Sequence, residues 1–222
     1  MKNKVYVAHT DAFFNDDNIF RKLYDCASYE RKVKTDKFVF RKDKLLSLTA
    51  EALLKKALSD IGITDCDIRY SEYGKPYSAG KDIFFSLSHS EKSVMCAVSE
   101  MEIGADTEKI TAFEPGIAER FFHRKESEML LNAPNSEKAE LFFRLWTLKE
   151  SFTKALGLGM SQPFNSFFID ITKESATVCR DITDEEYFFK EYKTDDGYKY
   201  AVCSLCPDFE NEIRFVKIEE II

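Results

Sequence analysis

The sequence predicts an α+β fold made of two similar subdomains, each a small, mostly antiparallel sheet packed with helices. Helical periodicity precedes β-hairpin patterning in each half, with 44–61 before 68–99 and 136–156 before 164–206. No low-complexity stretch or Pro/Ser-rich linker separates the halves, so they are expected to pack together. The chain has 222 residues, 44% hydrophobic and including 20 phenylalanines, enough for one large domain or two small ones. We place the boundary between subdomains 1–102 and 103–222, with the ligand site in the cleft between them. Residue-level repetition is weak, so a duplication rests on element order alone.

Taken in order, KVYVAH (residues 3–8) reads as a first strand and 16–27 as a helix. Residues 28–60 carry a long helical pattern. Its second part has Leu45, Leu48, Ala52 and Leu53 at helical spacing and ends at Gly62. IRY, IFFSLSHS and SVMCAVS read as strands joined by SEYGKPY and SEKS, and EIGADTEKI adds a short strand. Residues 116–131 and 136–156 read as helices. FNSFFIDI, ATVCRDI, EYFFKEYK, YKYAVCSL and EIRFVKIEEII supply the remaining strands.

The formal charge of −7 and pI of 5.2 argue against nucleic-acid and anionic-membrane partners, so an anionic ligand needs a local basic patch. One exists. Residues 31–44 hold seven basic residues (Arg31, Lys32, Lys34, Lys37, Arg41, Lys42, Lys44) against Asp36 and Asp43. It reads as a solvated helix face or as a seat for an anion or acidic partner. MKNKVYVAHTDAFF lacks the apolar run of a signal peptide and no window approaches a membrane span, so a cytoplasmic protein is expected. The six cysteines are scattered. Cys203-x-x-Cys206 lies in an apolar strand-like segment and reads as core packing rather than a zinc or redox site.

Three places concentrate polar residues. In Gly104–Lys109, Asp106 and Glu108 stand at i and i+2, on one face of a strand. Paired carboxylates raise each other's proton affinity unless a cation sits between them, and such oxygens suit Mg²⁺. A solvated strand end is the alternative. In 146–160, Trp146, Glu150 and Lys154 share a helical face. One reading is an exposed i,i+4 pair contributing roughly 0.3–0.5 kcal/mol. The other has Glu150 held beside a buried tryptophan, where a carboxylate needs a cation or donor, as a third metal ligand with Lys154 turned to phosphate. In Ser86–Ser90, His89 between serines at a strand end offers donors suited to phosphate, or is an ordinary histidine. No G-x-S-x-G elbow or companion residues support a Ser-His-Asp hydrolase.

Together, Gly74-Lys75-Pro76, Phe85-Ser86-Leu87-Ser88-His89-Ser90, Gly104-Ala105-Asp106-Thr107-Glu108-Lys109 and Trp146-Thr147-Leu148-Lys149-Glu150-Ser151-Phe152-Thr153-Lys154 closely resemble the 4′-phosphopantetheinyl transferases of the surfactin-synthetase-activating type, over about residues 28 to 206. The resemblance implies a pseudo-dimeric fold. It also implies Mg²⁺-dependent transfer of the phosphopantetheine arm of coenzyme A to a serine of an acyl or peptidyl carrier protein, releasing 3′,5′-ADP. Carried over by position, Asp106, Glu108 and Glu150 are the metal-binding acids, with Asp106 also facing coenzyme A. Glu150 is the candidate base, and Lys154, Ser88 and His89 meet coenzyme A phosphates. Lys75 lies beside the adenine, and Arg31, Lys34 and Ser47 lie near the 3′-phosphate. Thr107, Ala105 and Ser86 depart from the residues the family favours, without removing a charged group.

A serine hydroxyl is a poor nucleophile at neutral pH and needs a base, which Glu150 would supply directly or through a metal-bound water. Cations such as Lys154 offset the charge growing on the phosphates. The acceptor is expected to be acidic, landing on 31–44 or on Phe113–Arg124, whose aromatics otherwise read as helix core. A pseudo-dimer would let a monomer hold a complete site. Two other classes share these parts: a Mg²⁺-dependent phosphatase or nuclease, and a non-catalytic coenzyme A-binding scaffold.

Overall fold

The structure is a computed structural model, and it describes residues 1–172, 175–179 and 183–222. The first half opens with strand β1 (Lys4–His9) and helix α1 (Asp17–Cys26), which starts where the Asp16 carboxylate accepts from the Asn18 and Ile19 amides. The expected helix over 28–60 is two helices, α2 (Tyr29–Asp36) and α3 (Arg41–Ser59). Amides of Lys37 and Phe38 fold back onto Lys34 and Thr35 carbonyls and close α2, and Phe40 is extended. Val39 and Phe40 are 84% and 69% exposed, so nothing buried carries the helix through this point. Strands β2 (Asp67–Tyr70) and β3 (Pro76–Ala79) form a hairpin, followed by β4 (Phe84–Ser90) and β5 (Ser93–Ser99). β3 begins inside the stretch read as a connection. Its leading proline is tolerated as a first strand residue.

The second half repeats this order. It contains β6 (Ile103–Lys109), α4 (Pro115–Phe121), α5 (Arg124–Asn132), α6 (Asn135–Leu156), the hairpin β7 (Phe168–Ile171) and β8 (Ala176–Cys179), then β9 (Phe188–Tyr192) and β10 (Tyr198–Ser204). The helix expected over 116–131 breaks at Phe122–His123. There the His123 ring accepts from the Lys125 amide and Glu126 reaches back to the His123 amide, starting α5 afresh. The end of the strand expected over ATVCRDI, residues 180–182, lies outside the described residues. EIRFVKIEEII is a strand only at β11 (Arg214–Phe215), and a 3₁₀ turn follows at Ile218–Glu220.

One sheet has the order β11–β1–β5–β4 and the other β6–β10–β9, so β1 and β6 hold equivalent places beside the second strand of a hairpin. The last residues therefore return to the first half, with β11 parallel to β1. α3 covers the outer face of the first sheet through Leu46, Ala50, Leu53, Leu54 and Ala57 against Tyr6, Val94, Cys96 and Val98. α6 covers the outer face of the second through Leu148, Phe152 and Ala155 against Ala201 and Cys203. Between the sheets lie Val5, Val7, Met95, Ala97, Ile103, Ala105, Tyr200 and Val202. The result is four layers: helix, sheet, sheet, helix. The mixed architecture of small antiparallel sheets and helices is the predicted α+β class.

Two features set the site. The edges of β4 and β6 are joined by side chains rather than a backbone ladder. Ser86 Oγ accepts from the Ala105 amide at 3.0 Å, and Ser90 Oγ accepts from the Lys109 amide at 3.2 Å. Ser88 Oγ donates to Asp106 Oδ1 and Ser90 Oγ to Glu108 Oε2, both at 2.6 Å. The strand's two-residue period places all three serines on this seam. Second, α6 lies directly on β6 at Gly104. A Cβ there would sit 1.9 Å from the Ser151 carbonyl oxygen and 2.3 Å from the Ala155 nitrogen. Both are backbone atoms, so the helix itself would have to move. Gly104→Ala is expected to cost about 3 kcal/mol or more, at or above the upper end for overpacking, measured by urea denaturation. Wild-type stability would show that the crossing is not tight.

Candidate active site

β6 presents Asp106 and Glu108 toward α6, and α6 presents Glu150 and Lys154 toward β6. Lys154 Nζ donates to Asp106 Oδ1 at 2.6 Å and to Ser88 Oγ at 3.0 Å, and lies 4.0 Å from Glu150 Oε2. Glu150 and Lys154 are both partly buried, which sets aside the exposed-pair reading of this helix face. Three carboxylates thus gather about one ammonium in a poorly hydrated place, and their protonation reflects it. Burial, then the Asp106 charge, pushes the Glu108 carboxyl up to about 7. Burial also raises the Glu150 carboxyl, with Lys154 opposing and Asp106 adding to the rise. Burial alone would lower the Lys154 ammonium, but Asp106 and Glu150 outweigh it and hold it above its ordinary value.

Asp106 Oδ2 is buried without a hydrogen-bond partner, an acceptor in want of a cation or donor. The donors are all carboxylate oxygens, which suit Mg²⁺. As placed, however, no three His, Cys, Asp or Glu side chains among the described residues are arranged around a common point to hold an ion. Lys154 is the cation on which Asp106 now closes.

The other expected residues fall into separate groups. His89 projects from β4 away from the serine seam and is exposed at its edge. Crowding by the protein around its ring, then the Lys154 charge, lowers its imidazole, with Lys34 adding to the effect. Lys34, on α2, is lowered by burial and by Arg31, and no carboxylate among the described residues pairs with it. Arg31 is already engaged: its Nε donates to Glu51 Oε2 at 3.1 Å and its Nη1 to Ser47 Oγ at 3.2 Å. Ser47 is buried and also accepts from Thr35 Oγ1 at 3.4 Å. Lys75 Nζ donates to Glu102 Oε2 at 2.5 Å and to the Ala155 carbonyl at 2.9 Å, tying its loop to the last turn of α6. α6 ends there because Gly157 adopts φ 72°, a left-handed cap.

Two concavities adjoin the acids. One of about 220 Å³ is lined by Tyr73, Lys75, Pro76, Phe85, Lys154 and Gly157, among others. The other, about 400 Å³, has Trp146 and Glu150 on its floor, Arg120 and Phe121 on one wall and Gln162–Asn165 on the other. A larger concavity of about 670 Å³ runs along β9 and 211–215, away from the acids, without the carboxylate cluster. Of the apolar residues in 113–124, Phe113, Ile117 and Phe122 pack in a core with Phe142, Leu145 and Trp146, while Phe121 is 37% exposed. Cys96 and Cys203 are buried, which pushes both thiols up, whereas Cys206 and Cys66 are only partly buried and Cys26 is exposed, so core packing holds for Cys203 but not for Cys206.

Sequence reasoning did not single out Ser90, Glu51, Glu102 or Glu126, each of which holds a site or neighbouring residue in place. Ser90 was within reach, since Ser86, Ser88 and Ser90 share one strand face. The other three are set by contacts distant in sequence.

The raised Glu108 carboxyl yields a pH dependence. Between its ordinary 4.5 and about 7, the folded chain binds a proton that the unfolded chain has lost. That stabilisation is complete below the unfolded value and disappears as pH rises through the folded one. Metal-free protein should therefore lose thermal stability across this window, and Glu108→Gln should flatten the Tm profile. Equal slopes in the two proteins would contradict the assignment.

The chain has relatives among known proteins. The 4′-phosphopantetheinyl transferase superfamily profile matches residues 102–203. The 4′-phosphopantetheinyl transferase gsp of Aneurinibacillus migulanus is 35% identical, over 93% of this chain and 88% of its own. The 4′-phosphopantetheinyl transferase Sfp of Bacillus subtilis is 35% identical over 88% of this chain and 89% of its own. The 4′-phosphopantetheinyl transferase ffp of Bacillus subtilis is 33% identical over 99% and 100%. A solved holo-[acyl-carrier-protein] synthase of Thermotoga maritima overlaps 47% of this chain and 62% of its own at TM-score 0.40 and 20% identity, too partial a likeness to carry weight. With these identities running almost end to end, the chain belongs to the 4′-phosphopantetheinyl transferase family.

Proposed function

We propose that the protein transfers the 4′-phosphopantetheine arm of coenzyme A to a serine of an apo acyl or peptidyl carrier protein, Mg²⁺-dependently, releasing 3′,5′-ADP. It would act as a cytoplasmic monomer, in the cleft between subdomains 1–102 and 103–222. The observation that carries this reading is the meeting of Asp106, Glu108, Glu150 and Lys154 near the crowded His89 and Lys34, which pairs with no carboxylate among the described residues. Acids for metal and proton stand next to an ammonium and an imidazole that can receive a phosphate. Ser88 and His89 come from the first half and the acids from the second, so one chain supplies both sides.

In this reading the carrier serine Oγ forms a bond to the pantetheine-side phosphorus of the coenzyme A pyrophosphate. The bond from that phosphorus to the bridging oxygen breaks, and 3′,5′-ADP leaves with the oxygen. Glu150 takes the serine proton. Burial raises its affinity for that proton and makes it a better base near neutral pH. Lys154 balances charge on the phosphates, and Lys34, His89 and the Arg31–Ser47 pair draw the 3′-phosphate side. Asp106, Glu108 and Glu150 would hold Mg²⁺, which when bound neutralises the pyrophosphate and stabilises the leaving group. The 220 Å³ concavity beside Lys75 and Pro76 suits the adenine, and the 400 Å³ pocket at Glu150 suits the pantetheine arm and the arriving serine. Among the described residues, Lys34, Lys37 and Lys44 pair with no carboxylate, which supports an acidic carrier on that side.

Glu150→Gln, verified as folded, is expected to lower kcat/KM for carrier modification by about 100-fold or more. With wild type, each modified carrier should be matched by one 3′,5′-ADP, and EDTA should stop both until Mg²⁺ is restored. Near-normal turnover by the variant would remove Glu150 from the mechanism.

A further inference from the structure

One buried charge pair has no part in the chemistry above. Lys149 is 0% exposed and Glu126 is 1% exposed. Lys149 Nζ donates to Glu126 Oε1 and to the Phe167 carbonyl, both at 2.8 Å, and lies 2.7 Å from Glu126 Oε2 in the same ion pair. The Glu126 carboxylate also accepts from the Ile169 amide at 2.7 Å and the His123 amide at 2.9 Å. An apolar pair of similar volume would avoid the desolvation of two charges and is often as stable or more so. Stability alone therefore does not explain the pair.

Its connections do. Lys149 precedes Glu150 on α6, whose face forms the floor of the 400 Å³ pocket. Through Glu126 it holds the His123 amide, at the break just after the Phe121 wall. Through the Phe167 carbonyl, and through Glu126 to the Ile169 amide, it holds the chain just after the Gln162–Asn165 wall. Trp146 lies between the walls, edge-on to Phe121 at 6.2 Å and to Phe164 at 5.5 Å. One cation thus ties floor and both walls to a single point.

Resting on the proposed transfer reaction, we infer that Lys149 and Glu126 are positioning residues, which fix the spacing of the Trp146 pocket and the aim of Glu150 into it. They touch neither substrate nor the phosphate-side cations. Disturbing them should leave coenzyme A binding alone and misplace the reacting serine.

The test uses Lys149→Met, Glu126→Gln and the apolar double variant Glu126→Leu/Lys149→Met, which keeps volume but leaves the His123 and Ile169 amides and the Phe167 carbonyl unheld. Trp146 is the only tryptophan, so acrylamide quenching of its fluorescence reads the pocket without any substrate. The double variant is expected to remain folded, to quench at least twofold more readily, and to lose at least about tenfold in kcat, while the KM for coenzyme A stays within about twofold. Folded variants with wild-type quenching and kcat would overturn the inference. So would a double variant that unfolds along with both single ones, which would make the pair a plain requirement of the fold. If wild type modified no carrier, the reaction assignment would fall. Unchanged quenching with normal carrier modification by wild type would instead refute only the positioning role.

Discussion

The site depends on how closely α6 lies on β6. At Gly104 the helix backbone occupies the place where a Cβ would be, with Ser151 and Ala155 on either side of it. Lys154 is on the turn that makes this contact, and Asp106 is the next residue of β6 on the same face, so their 2.6 Å ion pair follows from the crossing. A larger residue at 104 would lift the whole helix, and with it Glu150, the Trp146 pocket floor and the anchor that Lys75 finds on the Ala155 carbonyl. Packing at one glycine thus sets the distances over which the charges act.

Those charges are arranged against their own stability. Asp106, Glu108 and Glu150 repel one another in a place that solvates them poorly, and Lys154 answers only part of their charge. Nearby the imbalance has the opposite sign: burial and Arg31 lower the Lys34 ammonium, and burial, Lys154 and Lys34 lower the His89 imidazole. A ligand carrying both phosphate and a divalent cation would relieve both at once. The serine seam is what brings the two regions together: β4 carries His89 outward while its alternating serines hold the acid-bearing strand beside it. β4 and β6 are each the edge strand of their sheet, and Asp106 and Lys154 meet Ser88 where those edges adjoin.

Much of this was legible in the sequence. The strand period put Asp106 and Glu108 on one face, the helix period put Glu150 and Lys154 on another, and both face the same space. The repeated order of helix and hairpins was legible too, because each element carries a strong local period. What escaped depended on distant contacts. The breaks at 37–40 and 122–123 come from local caps that interrupt helical patterns without erasing them. Nothing local marks Lys149 as buried, yet it is wholly so, because Glu126, 23 residues away, and the Phe167 carbonyl meet it there. The engagement of Arg31 by Glu51 and of Lys75 by Glu102 was hidden for the same reason. Strand character in 212–222 was over-read, since only Arg214 and Phe215 find a partner in β1.

The central claim is that this gathering of acids and cations moves a phosphopantetheine group rather than hydrolysing a phosphoester or only binding one. Intact-mass measurement of an apo-carrier protein, incubated with the enzyme, coenzyme A and Mg²⁺, tests it most directly. A mass gain of one phosphopantetheine on the carrier is the expected result. Free phosphate with an unmodified carrier, or coenzyme A bound with neither product formed, would contradict it.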